Sequence, residues 1–74
     1  MKPTNVTNRI RELRTAQGLT QAELARRIGM TRQSVIAIEQ QKYSPSLEVA
    51  FQIADILGVP LTDVFSYEPR HFTR

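Results

Sequence analysis

Hydrophobic residues recur along this chain with the 3.6-residue period of an α-helix, and no stretch alternates in the manner of a β-strand. Glycine, proline and serine residues interrupt the period and mark turns. We therefore predict an all-α domain of five helices over residues 1–66, followed by a tail at 67–74. The predicted helices lie at residues 6–17, 20–28, 31–40, 47–57 and 59–65.

The core faces of the first and third predicted helices each contain a charged residue. At about 100° per residue, Arg14 falls on the same face as Val6 and Ile10, and Glu39 falls on the inner side of the third helix. A charge that leaves water needs an opposite partner. The two positions thus predict a partly buried ion pair that joins the first helix to the third.

The fourth predicted helix is apolar around most of its circumference, so neighbouring structure must cover it on two sides. One stripe contains Leu47, Ala50, Phe51, Ala54 and Leu57, and the second contains Val49, Ile53 and Ile56. The short fifth helix covers part of the second stripe. The remaining apolar surface either lies covered within the monomer or joins two copies of the chain. In the second case, the candidate interface residues are Ile53, Ile56, Val59, Phe65 and Tyr67.

Composition and charge narrow the class of protein. The chain has no cysteine and a net charge of +3, and its basic side chains concentrate in one half. Residues 1–42 hold eight basic and three acidic side chains, whereas residues 43–74 hold two and four. This asymmetry favours a polyanionic partner, although a solvated surface would have the same composition.

Several other classes of function have no support in the sequence. No segment has the pattern of a signal peptide or a membrane span, which predicts a cytoplasmic protein. The serines lack a neighbouring base, and His71 lacks a partner at metal-ligand spacing. We therefore expect no enzyme activity, no metal, no cofactor and no small-molecule ligand.

The second and third predicted helices form the most informative segment. Thr20 and Glu23 have the spacing of a capping box, Gly29 ends the second helix, and Thr31 is placed to cap the third. Two short helices joined by a tight turn are the sequence form of a helix-turn-helix. The outer face of the third helix is polar and nearly free of acid, as insertion into the roughly 12 Å wide major groove of DNA requires.

The segment GLTQAELARRIGMTRQSVIAIEQQKYSPSLEVAFQIADILGVPLTDVF resembles the Cro/Xre-like helix-turn-helix family, which has the lambda-repressor-like fold. The resemblance covers residues 8–66. It rests on features that coincide: the LTQAELA run, the turn at Gly29, RQSV and IE in the third helix, and the later PSL, LGV and VF. It implies a transcriptional regulator, most often a repressor, that binds double-stranded DNA in a sequence-specific manner.

The resemblance also implies roles for residues of the third helix, about 31–40. It gives base contacts to Arg32, Gln33 and Ala37. Arginine suits guanine, glutamine suits adenine, and the methyl group of alanine can meet thymine. Ile36 is a further candidate for a thymine methyl contact. The ion pair of Arg14 and Glu39 matches a structural pair of the family.

Contacts to the phosphate backbone form a second set of expectations. By the same resemblance, Gln21 contacts a phosphate and braces the third helix, while Lys42 and Tyr43 lie in a loop that meets the backbone. Thr31 and Ser34 belong to the first turn of the third helix, where the positive end of the helix dipole favours a phosphate.

The expected assembly follows from the small size of the recognition surface. One helix contacts few base pairs, and a chain of this length is marginally stable alone. We therefore expect a homodimer that holds two recognition helices about 34–36 Å apart on an inverted repeat. The alternative is a protein-interaction module, such as an antitoxin or adaptor, that holds another protein through the fourth and fifth helices.

Overall fold

Five α-helices and one small antiparallel sheet make up residues 4–69, the part of the chain that the computed structural model describes. The elements in chain order are β1 Val6–Asn8, α1 Ile10–Ala16, α2 Gln21–Arg27, α3 Arg32–Glu39, α4 Leu47–Leu57, α5 Leu61–Val64 and β2 Phe65–Tyr67.

The hydrophobic core lies between the helices and is built from aliphatic side chains. Ile10 and Leu24 are fully buried, and Val35, Ile38 and Ile53 are each 1% exposed. These residues belong to four different helices, α1 to α4. Each lies on the face that the helical period predicts, so the same stripes that define the helices also join them.

The sheet shows that the prediction of an all-α domain is only partly right. β1 and β2 pair antiparallel, with Val6 opposite Tyr67 and Asn8 opposite Phe65. Backbone hydrogen bonds from Arg9 N–H to the Val64 carbonyl oxygen (2.9 Å) and from Glu68 N–H to that of Asn5 (2.8 Å) flank the pairing. Strands of three residues are too short for an alternating pattern, so periodicity does not detect them.

The start of the first helix differs from its predicted position for the same reason. The helix was expected from Val6, but Val6–Asn8 forms β1 and α1 begins at Ile10. Asn8 marks the change, since its Oδ1 accepts a hydrogen bond from the Ile10 N–H over 3.1 Å. At the other end of the chain, β2 includes Tyr67, the first residue of the predicted tail. Residues 70–74 of that tail lie outside the described residues.

Helix α4 has the predicted bounds but not the predicted coverage. Leu47 is 68% exposed and Phe51 is 53% exposed, so no part of residues 4–69 covers this side of the stripe. The second stripe is covered within the monomer at Ile53. Ile53 is therefore wrong as an interface candidate, because a side chain buried in its own core cannot contact another chain. Of the other candidates, Ile56, Val59 and Phe65 are half-buried against the core, and Tyr67 is exposed.

Candidate nucleic-acid interface

The turn between α2 and α3 fixes the angle between the two helices. Gly29 follows the end of α2 in the predicted left-handed conformation, with φ of 70°, where a side chain would cause strain. The Met30 N–H then donates to the carbonyl oxygen of Ala25 over 2.9 Å. Ala25 is itself buried and small, which lets the two helices approach closely. Gly29 thus ends α2 and directs the chain into α3.

Threonine hydroxyl groups cap both helices at their N-termini. Thr20 Oγ1 accepts a hydrogen bond from the Glu23 N–H over 3.0 Å, and Thr31 Oγ1 accepts one from the Ser34 N–H over 3.1 Å. The Thr31 and Ser34 hydroxyl groups also lie 3.1 Å apart. The carboxylate of Glu23 does not complete the predicted capping box, because it pairs instead with two arginines of α2.

The outer face of α3 presents hydrogen-bond donors that have no partner within residues 4–69. Arg32 and Gln33 are exposed at the start of the helix, and Ile36 and Ala37 are half-buried one turn later. The first turn of α3 contains no acidic residue. Since no carboxylate of the described chain pairs with Arg32, its guanidinium remains available to a ligand.

A buried ion pair holds α3 against the rest of the domain. Arg14 Nε donates to Glu39 Oε2 over 2.8 Å, and a second guanidinium nitrogen donates to Glu39 Oε1 over 3.3 Å. A third nitrogen donates to the Leu19 carbonyl oxygen over 2.9 Å. The two side chains are only 8% and 6% exposed. The pair links α1, the loop before α2 and the end of α3.

Gln21 connects the start of α2 to this ion pair. Its Nε2 donates to Glu39 Oε1 over 3.1 Å. The amide nitrogen has two hydrogens, so one braces Glu39 and the other is free to donate elsewhere. Gln21 is half-buried, which leaves it in reach of a ligand beside α3.

Asn8 is a second brace of α3 that the sequence did not reveal. Its Nδ2 donates to the carbonyl oxygen of Ile38 over 2.9 Å, near the helix end where carbonyl groups lack an intrahelical donor. Its Oδ1 also starts α1 through the Ile10 N–H. An asparagine just before an apolar helical pattern can mark the start of a helix, but the predicted first helix had already included Asn8.

Surface ion pairs occupy several of the remaining arginines. Arg9 pairs with Glu12, and both Arg26 and Arg27 pair with Glu23. The hydrogen bonds from Arg26 and Arg27 hold the pKa of the Glu23 carboxyl below its ordinary value, and the hydrogen bond from Arg9 does the same for Glu12. Each of these three arginines thus has an acidic partner on the surface, although Arg26 and Arg27 share one carboxylate.

Three basic side chains of residues 4–69 have no ion-pair partner there. They are Arg11, Arg32 and Lys42. Lys42 and Tyr43 follow α3 in the loop to α4, and both are exposed. The basic character expected from composition is therefore concentrated on α1, α3 and the loop after α3, rather than on α2.

Two further observations concern other kinds of site. No helix within residues 4–69 combines the length and the apolar character needed to cross a membrane. In the same part of the chain, no group of histidine and acidic side chains has the arrangement of a metal site.

Comparisons with known proteins agree with this geometry. A sequence profile of the helix-turn-helix family matches residues 10–64. An uncharacterized HTH-type transcriptional regulator of Methanocaldococcus jannaschii is 48% identical over 61 residues, which cover 82% of this chain and 92% of that protein. The cryptic phage CTXphi transcriptional repressor RstR of Vibrio cholerae is 35% identical over 60 residues, which cover 81% of this chain and 54% of the repressor. Among solved structures, the restriction-modification controller protein C.AhdI of Aeromonas hydrophila has a TM-score of 0.67 at 35% identity, covering 73% of this chain and 78% of that one.

Proposed function

We propose that this chain, which belongs to the Cro/Xre-like helix-turn-helix family of DNA-binding transcriptional regulators, binds duplex DNA in a sequence-specific manner through α3 in the major groove. The observation that carries the proposal is the exposed start of α3, where Arg32 and Gln33 have donors without partners in the described chain. Such a regulator acts where the chromosome lies, in the cytoplasm, and needs no enzymatic step.

Base recognition falls to four side chains of α3. Arg32 can donate two hydrogen bonds to O6 and N7 of guanine, and Gln33 can make a bidentate pair with N6 and N7 of adenine. Ile36 and Ala37 offer methyl groups to thymine. A good bidentate pair is worth about 1–3 kcal/mol of discrimination against a wrong base, so Arg32 and Gln33 supply most of the specificity.

Phosphate contacts hold α3 in register. The second amide hydrogen of Gln21 is free for a phosphate oxygen while the first braces Glu39. Thr31 and Ser34 lie at the positive end of the α3 dipole. Lys42 and Tyr43 are exposed in the loop after α3, where Lys42 has no ion-pair partner among the described residues.

The active species is a homodimer on an inverted repeat, because one helix contacts too few base pairs to select a site. Leu47 and Phe51 support self-association, since they lie one turn apart on α4 and are both more than half exposed. Helix α4 contains Glu48 and Asp55 but no basic residue, so this surface does not suit DNA. A second copy of the chain is the partner we propose for this surface, because it also supplies the second α3 that an inverted repeat needs. Bound at a promoter, the dimer acts by occupancy, and repression is the outcome we expect.

The experiment that tests this function is selection of bound fragments from a random duplex library. The wild type is run beside an Arg32→Ala/Gln33→Ala variant and a control variant, Arg26→Ala/Gln52→Ala. The control removes the same residue types and the same charge from α2 and α4. We expect the wild type and the control to enrich one inverted repeat, and the α3 variant to lose it. Equal enrichment by all three proteins would exclude α3 as the base-reading element.

A protein-interaction module is the second candidate function, and the exposed α4 surface is the observation that favours it. An antitoxin or adaptor would use Leu47 and Phe51 to hold a different protein. Failure of the wild type to enrich any DNA sequence, together with a monomeric mass in solution, would favour this candidate over the regulator.

A further inference from the structure

A cleft of about 630 Å³ separates α3 from the end of α1 and the start of α2. Arg11 and Gln21 line one wall, and Arg32 and Ile36 line the other. Glu39 lies deeper in the cleft, where its side chain is 6% exposed. Arg32 and Ile36 also belong to the proposed base-reading face of α3, so the cleft adjoins that face.

The charges that line the cleft are strongly unbalanced. Three arginines and one glutamate contribute to it. Arg14 and Glu39 satisfy each other, and both are almost fully buried. Arg11 and Arg32 are exposed and have no ion-pair partner within residues 4–69. The cleft therefore presents two guanidinium groups from opposite walls, with its only carboxylate already neutralised.

Arg11 differs in this respect from its neighbours on the surface. Arg9, two residues earlier, pairs with Glu12, and Arg26 and Arg27 share Glu23. All three acidic residues of the basic segment 1–42 thus pair with these arginines or with Arg14. Within residues 4–69, the basic side chains without an ion-pair partner lie only in the cleft and in the loop after α3. This distribution points to an anion that binds there.

The dimensions of DNA identify that anion. An α-helix with side chains is about 10–12 Å across and fills a major groove about 12 Å wide, so its flanks face the sugar–phosphate walls. Arg32 and Ile36 form the flank of α3 that lines the cleft. With α3 in the groove, the backbone strand on that side must pass between this flank and the wall that contains Arg11.

We propose that Arg11 is a further phosphate-binding residue, which contacts the phosphodiester backbone of the bound duplex across this cleft from Arg32, a role that presupposes the proposed binding of DNA by α3. Arg11 contacts a charged oxygen and no base. It therefore contributes affinity without sequence preference, whereas Arg32 faces both the cleft and the groove.

The test compares Arg11→Ala with Arg26→Ala, which makes the same change in net charge on the outer side of α2. Duplex affinity is measured over a range of salt concentrations, for the selected site and for an unrelated duplex. For Arg11→Ala we expect affinity to fall by the same factor for both duplexes and the salt slope to decrease by about 0.9. Arg26→Ala should keep the wild-type slope, because Arg26 does not line the cleft and its guanidinium pairs with Glu23 on the surface of α2.

A modified duplex identifies the source of the phosphate. Single phosphates of the selected site are replaced, one at a time, by neutral methylphosphonate. We expect one position in each half-site where the replacement weakens the wild type and the Arg26→Ala protein but leaves Arg11→Ala unaffected. The loss of that coupling would mean that Arg11 touches no backbone phosphate.

The outcomes separate this inference from the function on which it rests. If the wild type binds no duplex at any salt concentration, the proposed DNA binding fails and the cleft proposal fails with it. If the wild type binds its selected site while Arg11→Ala and Arg26→Ala behave alike, only the cleft proposal is overturned. Because Arg11 is exposed, the alanine variant should fold, and its far-ultraviolet circular dichroism and melting temperature check that it does.

Discussion

At the scale of single residues, the Arg14–Glu39 pair is the interaction on which the position of α3 depends most. Its two charges are nearly out of water, and each retains several hydrogen bonds. Replacing a buried pair with well-packed apolar residues is often neutral, but removing one partner leaves an uncompensated charge. The pair therefore serves less to add stability than to hold α1, α2 and α3 in one arrangement.

The substitution Arg14→Ala tests this role. It leaves Glu39 buried with only the Gln21 amide for a partner, so we expect a loss of about 3–5 kcal/mol in the free energy of unfolding. Urea denaturation followed by circular dichroism measures it. The double substitution Arg14→Met/Glu39→Met removes both charges and should recover part of that loss. A melting curve for Arg14→Ala that overlays the wild type would contradict the assignment of a buried pair.

Sequence reasoning at the residue scale located the two members of this pair but not Asn8, which braces the same end of α3. The angular positions of Arg14 and Glu39 follow from helical geometry alone. The bond from Asn8 to the Ile38 carbonyl depends on where the N-terminal segment packs. The pairing of β1 with β2 determines that packing. The local sequence of β1 does not predict this pairing.

At the scale of elements, helices α1 to α4 all end in the same motif. The residue after the last turn is left-handed, and the amide hydrogens that follow return to carbonyl oxygens near the helix end. For α3, the Gln41 N–H donates to the Ile38 carbonyl oxygen over 2.9 Å and the Lys42 N–H donates to that of Ala37 over 3.0 Å. The left-handed residue is glycine in the other three helices and glutamine in α3.

Gln41 is consequently a position where α3 can be stabilised. A side chain in the left-handed region costs about 1–2 kcal/mol, and the greater freedom of glycine in the unfolded chain offsets part of the gain. We expect Gln41→Gly to raise the free energy of unfolding by about 0.5–1 kcal/mol, measured by urea denaturation. The matched control is Gln40→Gly, because Gln40 has an ordinary φ of −87° and should gain nothing. Equal effects at the two positions would show that the left-handed backbone of Gln41 carries no cost.

The elements differ in how far the sequence predicts them. The bounds of α2, α3 and α4 follow from local signals, since Thr20, Thr31 and Ser46 cap their first turns and glycine or the loop ends them. The period of α4 identifies two apolar stripes but does not say which is covered. The partner that would cover Leu47 and Phe51 is absent from residues 4–69, and a sequence pattern cannot distinguish a core face from an interface.

At the scale of the whole molecule, β1 and β2 bring the two ends of the described chain together. Their pairing joins residues about sixty positions apart, through Thr7 opposite Ser66. The last residue of β1 is Asn8, which holds the end of α3. The sheet therefore connects the C-terminal segment to α3, although it contributes little to the hydrophobic core.

The proposed self-association is a property of the whole molecule, and a substitution at Phe51 tests it. The side chain is 53% exposed, so Phe51→Glu should leave the monomer fold intact while placing a charge in an apolar interface. Sedimentation equilibrium measures the mass of the species in solution. We expect twice the chain mass of 8.5 kDa for the wild type and the single chain mass for the variant. The neighbouring Gln52→Glu adds a charge at another exposed position of the same helix and should stay dimeric.

The same experiment decides between the two surfaces that can join the copies. Val59→Glu tests the surface predicted from sequence, which after the removal of Ile53 consists of half-buried Ile56, Val59 and Phe65 with exposed Tyr67. If Val59→Glu dissociates the dimer and Phe51→Glu does not, the two-fold axis lies at the start of α5. Dissociation by Phe51→Glu alone assigns it to α4. A wild type that remains a single copy, even when bound to its full selected site, would remove the geometric basis for an inverted repeat.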